Sequence, residues 1–273
     1  MATFNFLNKN IHYQVEGSGE PLLLLNGIMM SMASWNNIID PLKENFTVIR
    51  VDFFDQGLTD TYESSYTQAL QVDLLKALLD HLNLDKVNVV GISYGGEVAL
   101  KFSITHPNLV SKLIVFNAVS HTDKTLKELG HKWNEYALKK DSYNYYLETI
   151  PVIYSKTFKE TNKEWMDNRE KLLLEGPFSN EEFLNKMIRL TNSSENFDVR
   201  NKLDNLTMPV LIIGAEEDFL TPVSAQKELK DNIKNSHLVI LPEVGHASMY
   251  ENPVVFNALI IGFIKTNQFD YKI

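Results

Sequence analysis

Residues 86–96 read KVNVVGISYGG, an apolar run that ends in a glycine and is followed by a serine and two more glycines. The run is typical of a buried strand, predicted over residues 86–90, and a helix is predicted over residues 97–106. A Gly-x-Ser-x-Gly motif at such a junction puts Ser93 on a sharp turn, with its hydroxyl above the sheet edge. The flanking glycines are needed because the strand and helix backbones nearly touch. The alternative is a glycine-rich turn with an incidental serine.

The same alternation of apolar runs and amphipathic stretches extends to both sides of this motif. Further strands are predicted at residues 4–7, 11–16, 22–26, 46–52, 112–119, 209–214 and 237–241. Further helices are predicted at residues 35–42, 66–82, 223–232 and 253–265. Strands that alternate with helices favour an α/β fold with a mostly parallel central sheet and helices on both faces.

Residues 121–200 interrupt this alternation. The segment contains no strand-like run comparable to those around it, and it is rich in aromatic residues. We therefore predict an α/β core made of residues 1–120 and 201–273, with residues 121–200 as an inserted helical lid whose aromatic inner face lines a substrate pocket. The alternative is that the aromatic side chains form a local core.

The composition is typical of a globular protein, with 44% of the 273 residues hydrophobic and 22% charged. The net charge of −9 and the lack of a dense Lys/Arg run argue against a nucleic-acid partner. The absence of cysteine excludes disulfides, thiolate metal sites and cysteine nucleophiles. The first residues lack the pattern of a signal peptide, and the apolar run at residues 21–25 is too short to span a bilayer. We therefore expect a cytoplasmic monomer or homodimer without a membrane partner.

A serine hydroxyl is a weak nucleophile unless a base takes its proton and a third group orients that base. Two candidates follow later strands: Asp218 comes after the strand at 209–214, and His246 comes after the strand at 237–241. The chain order Ser93, Asp218, His246 is the order that a serine on a strand-to-helix turn requires. Each residue lies past the C-terminal end of a strand, where open α/β sheets place their sites.

Glu216 and Glu217, next to Asp218, are alternative orienting acids. The other histidines are interpreted as surface or packing residues: His12, His81, His106, His121, His131 and His237. The sequence has no His-Glu-x-x-His motif and no paired His/Asp cluster, so we predict neither a metal nor a cofactor.

With these residues the chain resembles the α/β-hydrolase family, in particular its capped esterases, lactonases and related hydrolases, over nearly its whole length. The motifs that carry the resemblance are the turn at Ser93, Asp218-x-x-Thr221-Pro222, Gly245-His246 and the Asn26-Gly27 turn. In that family the backbone N–H groups after the turn glycine and after the nucleophile form an oxyanion hole, which implies Ile28 and Tyr94 here. The resemblance also implies a two-step acyl transfer by a Ser-His-Asp triad.

Two stretches depart from the family pattern. Asn26 stands where the family usually has histidine, but the implied oxyanion donors are main-chain groups, so the hole is expected to persist. Residues 52–59, DFFDQGLT, carry Phe54 and Asp55 where the family commonly has arginine and glycine. These departures leave the subfamily open without touching the triad.

The predicted function is a serine hydrolase that cleaves a small, largely apolar carboxylic ester, its small-molecule substrate. The candidate pocket residues are Asn26, Met29, Trp133, Tyr136 and Met249. A lactonase, thioesterase, C–C hydrolase or acyltransferase would use the same triad, as would a cofactor-independent oxygenase or peroxidase. A small-molecule receptor with little turnover would also retain it. Serine rather than aspartate at position 93 disfavours the dehalogenase and epoxide-hydrolase reactions of the same fold.

Overall fold

An eight-stranded sheet forms the centre of the computed structural model, which describes residues 1–266. The strands are β1 (Ala2–Phe6), β2 (Lys9–Gly17), β3 (Glu20–Leu25), β4 (Phe46–Val51), β5 (Val87–Ile92), β6 (Val110–Phe116), β7 (Val210–Ala215) and β8 (Ser236–Leu241). Their spatial order is β1-β2-β4-β3-β5-β6-β7-β8. β1 and β2 pair antiparallel with their neighbours, and all pairs from β4 to β8 are parallel. The predicted α/β fold with a mostly parallel sheet is confirmed.

Helices cover both faces of this sheet. They are α1 (Asp40–Lys43), α2 (Ala69–His81), α3 (Tyr94–Thr105), α4 (Lys124–Leu138), α5 (Ser142–Thr149), α6 (Lys156–Thr161), α7 (Lys163–Glu175), α8 (Glu181–Ser194), α9 (Val223–Asn232), α10 (Ser248–Glu251) and α11 (Pro253–Lys265). α2, α3 and α9 pack into one apolar cluster, while α1 and α11 pack into a second one. Within residues 1–266, none of these helices has both the length and the apolar character needed to cross a membrane.

The helix predicted over residues 35–42 is interrupted. The structure has a 3₁₀ turn at Met32–Trp35, followed after a short gap by the single turn α1. Pro41 lies in the first turn of α1. Because proline has no backbone N–H and is accepted at the start of a helix but not in its interior, a new helix begins here.

The helix predicted over residues 66–82 begins later than expected, at the start of α2. The hydroxyl of Tyr66 donates to Asp55 Oδ2 at 2.7 Å, which holds the segment before α2 against the loop that follows β4. This contact joins residues that are eleven positions apart, so helical spacing could not reveal it.

Helices α4–α8 lie between β6 and β7, and we call residues 121–200 the helical insertion. Its apolar side chains join the cluster that contains α2 and α3. Arg189 of α8 also pairs with Asp55 of the core, because its Nε and Nη2 both donate to Asp55 Oδ1, at 2.9 and 2.6 Å. Asp55 is fully buried. One of the two residues that depart from the family loop therefore joins the insertion to the core through an ion pair.

We expect the substitution Arg189→Met to destabilise the protein, because it leaves the buried Asp55 carboxylate without its cation. Removing one partner of a buried pair costs about 3–5 kcal/mol, and we expect about 2–3 kcal/mol here because the Arg189 side chain is 23% exposed. Urea unfolding measures this loss. The control is Arg200→Met, which breaks an exposed pair with Asp198 and should cost at most about 1 kcal/mol. Equal losses in the two variants would contradict a stabilising role for the buried pair.

Candidate active site

Ser93 lies between β5 and α3, in a turn with an unfavourable backbone conformation. Its φ is +52° and its ψ is −121°, a region that costs a non-glycine residue about 1–3 kcal/mol. The Ser93 N–H donates to the carbonyl of Phe116 on β6 at 2.9 Å and holds the turn in place. Gly91 and Gly95 leave no room for a side chain. A Cβ on Gly91 would overlap the carbonyl of Gly95, and a Cβ on Gly95 would overlap the carbonyl of Leu25.

His246 connects Ser93 to Asp218 through two hydrogen bonds. Its Nε2 lies 2.8 Å from Ser93 Oγ, and its Nδ1 lies 2.8 Å from Asp218 Oδ2. The three residues come from the loops after β5, β7 and β8, which meet at the C-terminal edge of the parallel strands. A hydroxyl, an imidazole and a carboxylate in this order allow the ring to take a proton from Oγ while the carboxylate orients the ring.

Asp218 is buried and accepts several hydrogen bonds. Its Oδ1 accepts from the backbone N–H groups of Leu220 and Thr221 at 2.9 Å each. Its Oδ2 accepts from the Thr221 hydroxyl at 2.6 Å and from the Asn117 amide at 2.8 Å. Burial raises the pKa of Asp218, but the adjacent His246 and these hydrogen bonds outweigh it, so the pKa lies below its usual value. A carboxylate therefore faces Nδ1 of His246 at neutral pH.

Asn117 is a site residue that the sequence analysis did not identify. It follows β6 with a φ of +49°, a conformation that asparagine tolerates better than most residues. Its Oδ1 accepts from the Ser248 hydroxyl at 2.7 Å, while its Nδ2 donates to Asp218. Asn117 therefore links the loops after β6, β7 and β8. An asparagine at the end of a strand could have indicated this role. The predicted strand over residues 112–119 included Asn117, whereas β6 ends at Phe116.

The two glutamates beside Asp218 bind elsewhere. The carboxylate of Glu217 accepts from the backbone N–H of Lys156 at 2.6 Å and from the Thr157 hydroxyl at 2.9 Å, at the start of α6. Glu216 accepts from the N–H of Glu243 at 3.2 Å. Asp218 is therefore the acid that contacts the imidazole. Within residues 1–266, no three His, Asp or Glu side chains come close enough together to hold a metal ion.

Two backbone N–H groups are free to donate beside Ser93. The N–H of Ile28, in the turn after β3, makes no backbone hydrogen bond within the described part of the chain. The N–H of Tyr94 is the first in α3, so it has no acceptor inside the helix. Ile28, Tyr94 and Ser93 border the same cavity. These are the two donors that the sequence analysis named for an oxyanion hole.

Asn26 does not line this cavity, which differs from the prediction. It is fully buried beneath the turn after β3. Its Nδ2 donates to the Val51 carbonyl at 2.9 Å and to Gln56 Oε1 at 3.1 Å, and its Oδ1 accepts from Trp35 Nε1 at 2.7 Å. Gln56 Nε2 in turn donates to the carbonyl of Gly27 at 2.8 Å. Asn26 therefore supports the turn, because its amide group is already used by the protein.

The cavity has a volume of about 170 Å³ and is largely apolar. Its apolar lining includes Ile28, Met29, Ile92, Trp133, Ile153 and Met249. Three predicted pocket residues, Met29, Trp133 and Met249, are thus part of the lining. Tyr136 is not part of the lining, and it is one of the partly buried side chains that pack against the apolar core.

Aromatic side chains of the helical insertion also contact one another away from the cavity. The rings of Tyr154, Phe158 and Trp165 have centroids 5.2–5.4 Å apart, in one stacked and two edge-on pairs. Trp133 lines the cavity instead, and its indole N–H donates to the Glu148 carbonyl at 3.0 Å. The insertion therefore also contains a local aromatic cluster, which packs within the same apolar core as α2 and α3.

Comparisons with known proteins agree with this fold. A family model described as the alpha/beta hydrolase fold matches residues 20–253. The crystal structure of MGS-M2, an alpha/beta hydrolase enzyme from a Medee basin deep-sea metagenome library, is 43% identical with a TM-score of 0.97 over 100% of both chains. The 2-hydroxy-6-oxononadienedioate/2-hydroxy-6-oxononatrienedioate hydrolase 1 of Pseudomonas putida is 26% identical over 94% of this chain and 93% of its own. The enol-lactonase from Burkholderia xenovorans LB400 is 16% identical, covers 97% of this chain and 100% of its own, and shares the fold with a TM-score of 0.86.

We expect the substitution Gly95→Ala to lower the free energy of unfolding by about 2–3 kcal/mol, because the new methyl group overlaps backbone atoms that cannot move aside. Thermal and urea unfolding measure the loss. The control is Gly262→Ala on α11, where a Cβ has no atom within 4 Å. That variant should gain up to about 1 kcal/mol from helix propensity. Similar behaviour of the two variants would mean that the contact between β5 and α3 is not the constraint described here.

Proposed function

The chain belongs to the α/β-hydrolase family, and on this premise we propose that it is a serine hydrolase acting on a small, largely apolar carboxylic ester. The observation that carries the proposal is the position of His246, with one ring nitrogen 2.8 Å from Ser93 Oγ and the other 2.8 Å from Asp218. The apolar cavity beside Ser93 supports the substrate class.

In the first proposed step, Ser93 Oγ attacks the ester carbonyl while His246 Nε2 takes the hydroxyl proton. The carbonyl oxygen becomes negatively charged and accepts hydrogen bonds from the N–H groups of Ile28 and Tyr94. One such donor changes the rate by about 10²–10³. Asp218 Oδ2 accepts a hydrogen bond from the Nδ1–H of the ring and stabilises the imidazolium that forms. Nε2 then returns its proton to the alcohol oxygen, which leaves.

In the second step, water attacks the acyl-enzyme. His246 Nε2 takes a proton from the water, and the oxyanion forms again beside the same two N–H groups. Collapse of this tetrahedral intermediate releases the acid, and His246 Nε2 gives its proton back to Ser93 Oγ. Every proton transfer uses His246, so neither step requires a cofactor. A lactone is a cyclic ester and would react by the same steps, with the alcohol retained in the product.

We also propose that the helical insertion acts as a lid over the cavity. Trp133 on α4 and Ile153 after α5 belong to the insertion and line the same cavity as the turn after β3. A lid of this kind keeps bulk water away from the bound substrate and strengthens the electrostatic interactions inside the cavity. The ion pair between Arg189 and Asp55 holds the insertion in this position.

The first test is the hydrolysis of p-nitrophenyl esters of increasing acyl length. We expect activity in the native protein and a loss of at least about 10³-fold in Ser93→Ala, because the variant lacks the hydroxyl that contacts Nε2 of His246. Ser64→Ala, which removes an exposed hydroxyl, is the matched control and should be unchanged. Activity that survives in Ser93→Ala would sink the proposed mechanism.

A second test separates Asp218 from its neighbours. Asp218→Asn should lower kcat by about 10⁴-fold, because an amide favours the wrong tautomer of His246. Glu217→Gln should stay within a few-fold of the native rate, since Glu217 contacts the start of α6 instead of the ring. Steady-state kinetics of both variants on one ester decide the matter. A large loss of kcat in Glu217→Gln together with a small loss in Asp218→Asn would show that Asp218 is not the acid that orients His246.

A further inference from the structure

Glu97 is a buried acid in the cavity wall that the proposed mechanism does not use. It lies on α3 one turn after Ser93, and its backbone N–H donates to the Ser93 carbonyl at 3.0 Å. Only 8% of the residue is exposed. Glu97 also belongs to the cavity lining, so this exposed part faces the space beside Ser93. Glutamate at such a position is unusual, because burying a charged carboxylate without a cation is costly.

The protein satisfies only one of the two Glu97 oxygens. Oε2 accepts a hydrogen bond from Gln68 Nε2 at 2.6 Å. Gln68 is itself held in place, because its backbone N–H donates to the carbonyl of Ser193 at the end of α8. Oε1 of Glu97 makes no hydrogen bond within residues 1–266, and it is not among the fully enclosed polar atoms that lack a partner. This oxygen therefore retains surface that a ligand in the cavity can reach.

Burial favours the neutral carboxylic acid form of Glu97 over the charged carboxylate. Burial raises the pKa of Glu97 to about 8, and the hydrogen bond from Gln68 opposes this shift only in part. A neutral acid carries one proton. With the Gln68 amide in its present orientation, Oε2 accepts from Nε2, so the proton of the neutral acid belongs on Oε1. Glu97 thus presents a hydrogen-bond donor to the cavity.

We propose that Glu97 forms a polar subsite that binds an uncharged oxygen acceptor, such as a keto or hydroxyl oxygen, on the acyl part of the substrate. This inference rests on the proposed function, since it specifies the substrate of the same site. Four residues of helix rise about 6 Å, so the acceptor lies several bonds from the carbonyl that Ser93 attacks. The preferred substrate is then an oxygenated acyl ester rather than a plain alkanoate.

The test compares p-nitrophenyl hexanoate with its 4-oxo and 5-oxo analogues, which have the same chain length. In the native protein we expect kcat/KM to favour at least one oxo ester by about tenfold, the value of one buried hydrogen bond. In Glu97→Leu this preference should fall to near unity, while the rate on plain hexanoate stays within about threefold. Glu97→Gln keeps an N–H donor at the same place, so it should retain the preference.

Three outcomes would overturn the subsite. They are equal rates on all three esters in the native protein, an unchanged preference in Glu97→Leu, and an equal loss on all esters in both variants, which would indicate a structural role. A fourth contrary outcome is faster hydrolysis of the 6-aminohexanoate ester than of the hexanoate ester. This result would indicate that Glu97 is a charged carboxylate that binds cations. Thermal unfolding checks that the variants fold, and Glu97→Met replaces Glu97→Leu if the leucine variant does not.

A separate binding measurement distinguishes failure of the subsite from failure of the proposed function. Ser93→Ala lacks the nucleophile, so calorimetry can compare methyl hexanoate with methyl 5-oxohexanoate on it without turnover. We expect tighter binding of the oxo ester by about tenfold, and no difference when Glu97→Leu is added. A native protein that hydrolyses no ester would contradict the proposed function, and this binding comparison would still decide whether Glu97 forms the subsite.

Discussion

The site depends on the close approach of β5 and α3, where the backbone at Gly91 and Gly95 leaves no room for a side chain. The chain must therefore pass from strand to helix within one residue, Ser93, which adopts a positive φ. Such a conformation persists only where the surrounding structure enforces it. The N–H of Ser93 is bonded to β6, and the turn lies in the middle of the sheet. The hydroxyl position is thus fixed by the centre of the sheet.

Buried asparagine side chains also fix the positions of the loops around Ser93. Asn26 supports the turn after β3, and Asn117 connects the loops that hold Asp218 and His246. Each amide has two donors and an acceptor, and the protein uses both kinds of group. Because an unmet hydrogen bond in the interior is costly, networks of this type permit few alternative arrangements. These hydrogen bonds hold the loops of Asp218 and His246 in place, so that the side chains stay at hydrogen-bonding distance from one another.

The sequence predicted the features that depend on local pattern. Apolar runs and glycines located the strands and the turn at Ser93, and the chain order placed Asp218 and His246 at the same sheet edge. It did not predict contacts between distant residues. The pair of Asp55 and Arg189 joins positions 134 residues apart, and nothing in either stretch indicates the other. The pocket assignment of Asn26 was wrong for a related reason, since adjacency to a glycine turn does not reveal on which side of the backbone a side chain lies.

The ion pair between the helical insertion and the core also affects how modular the molecule is. In a hydrolase whose insertion contacts the core only through apolar side chains, one insertion could be exchanged for another of similar shape. Here the core provides a buried anion, Asp55, and the insertion provides the cation, Arg189. A chimera that received a foreign insertion would keep the anion and lose its partner. We therefore expect the core and the helical insertion to change together in evolution, because exchange of the insertion alone would break the ion pair.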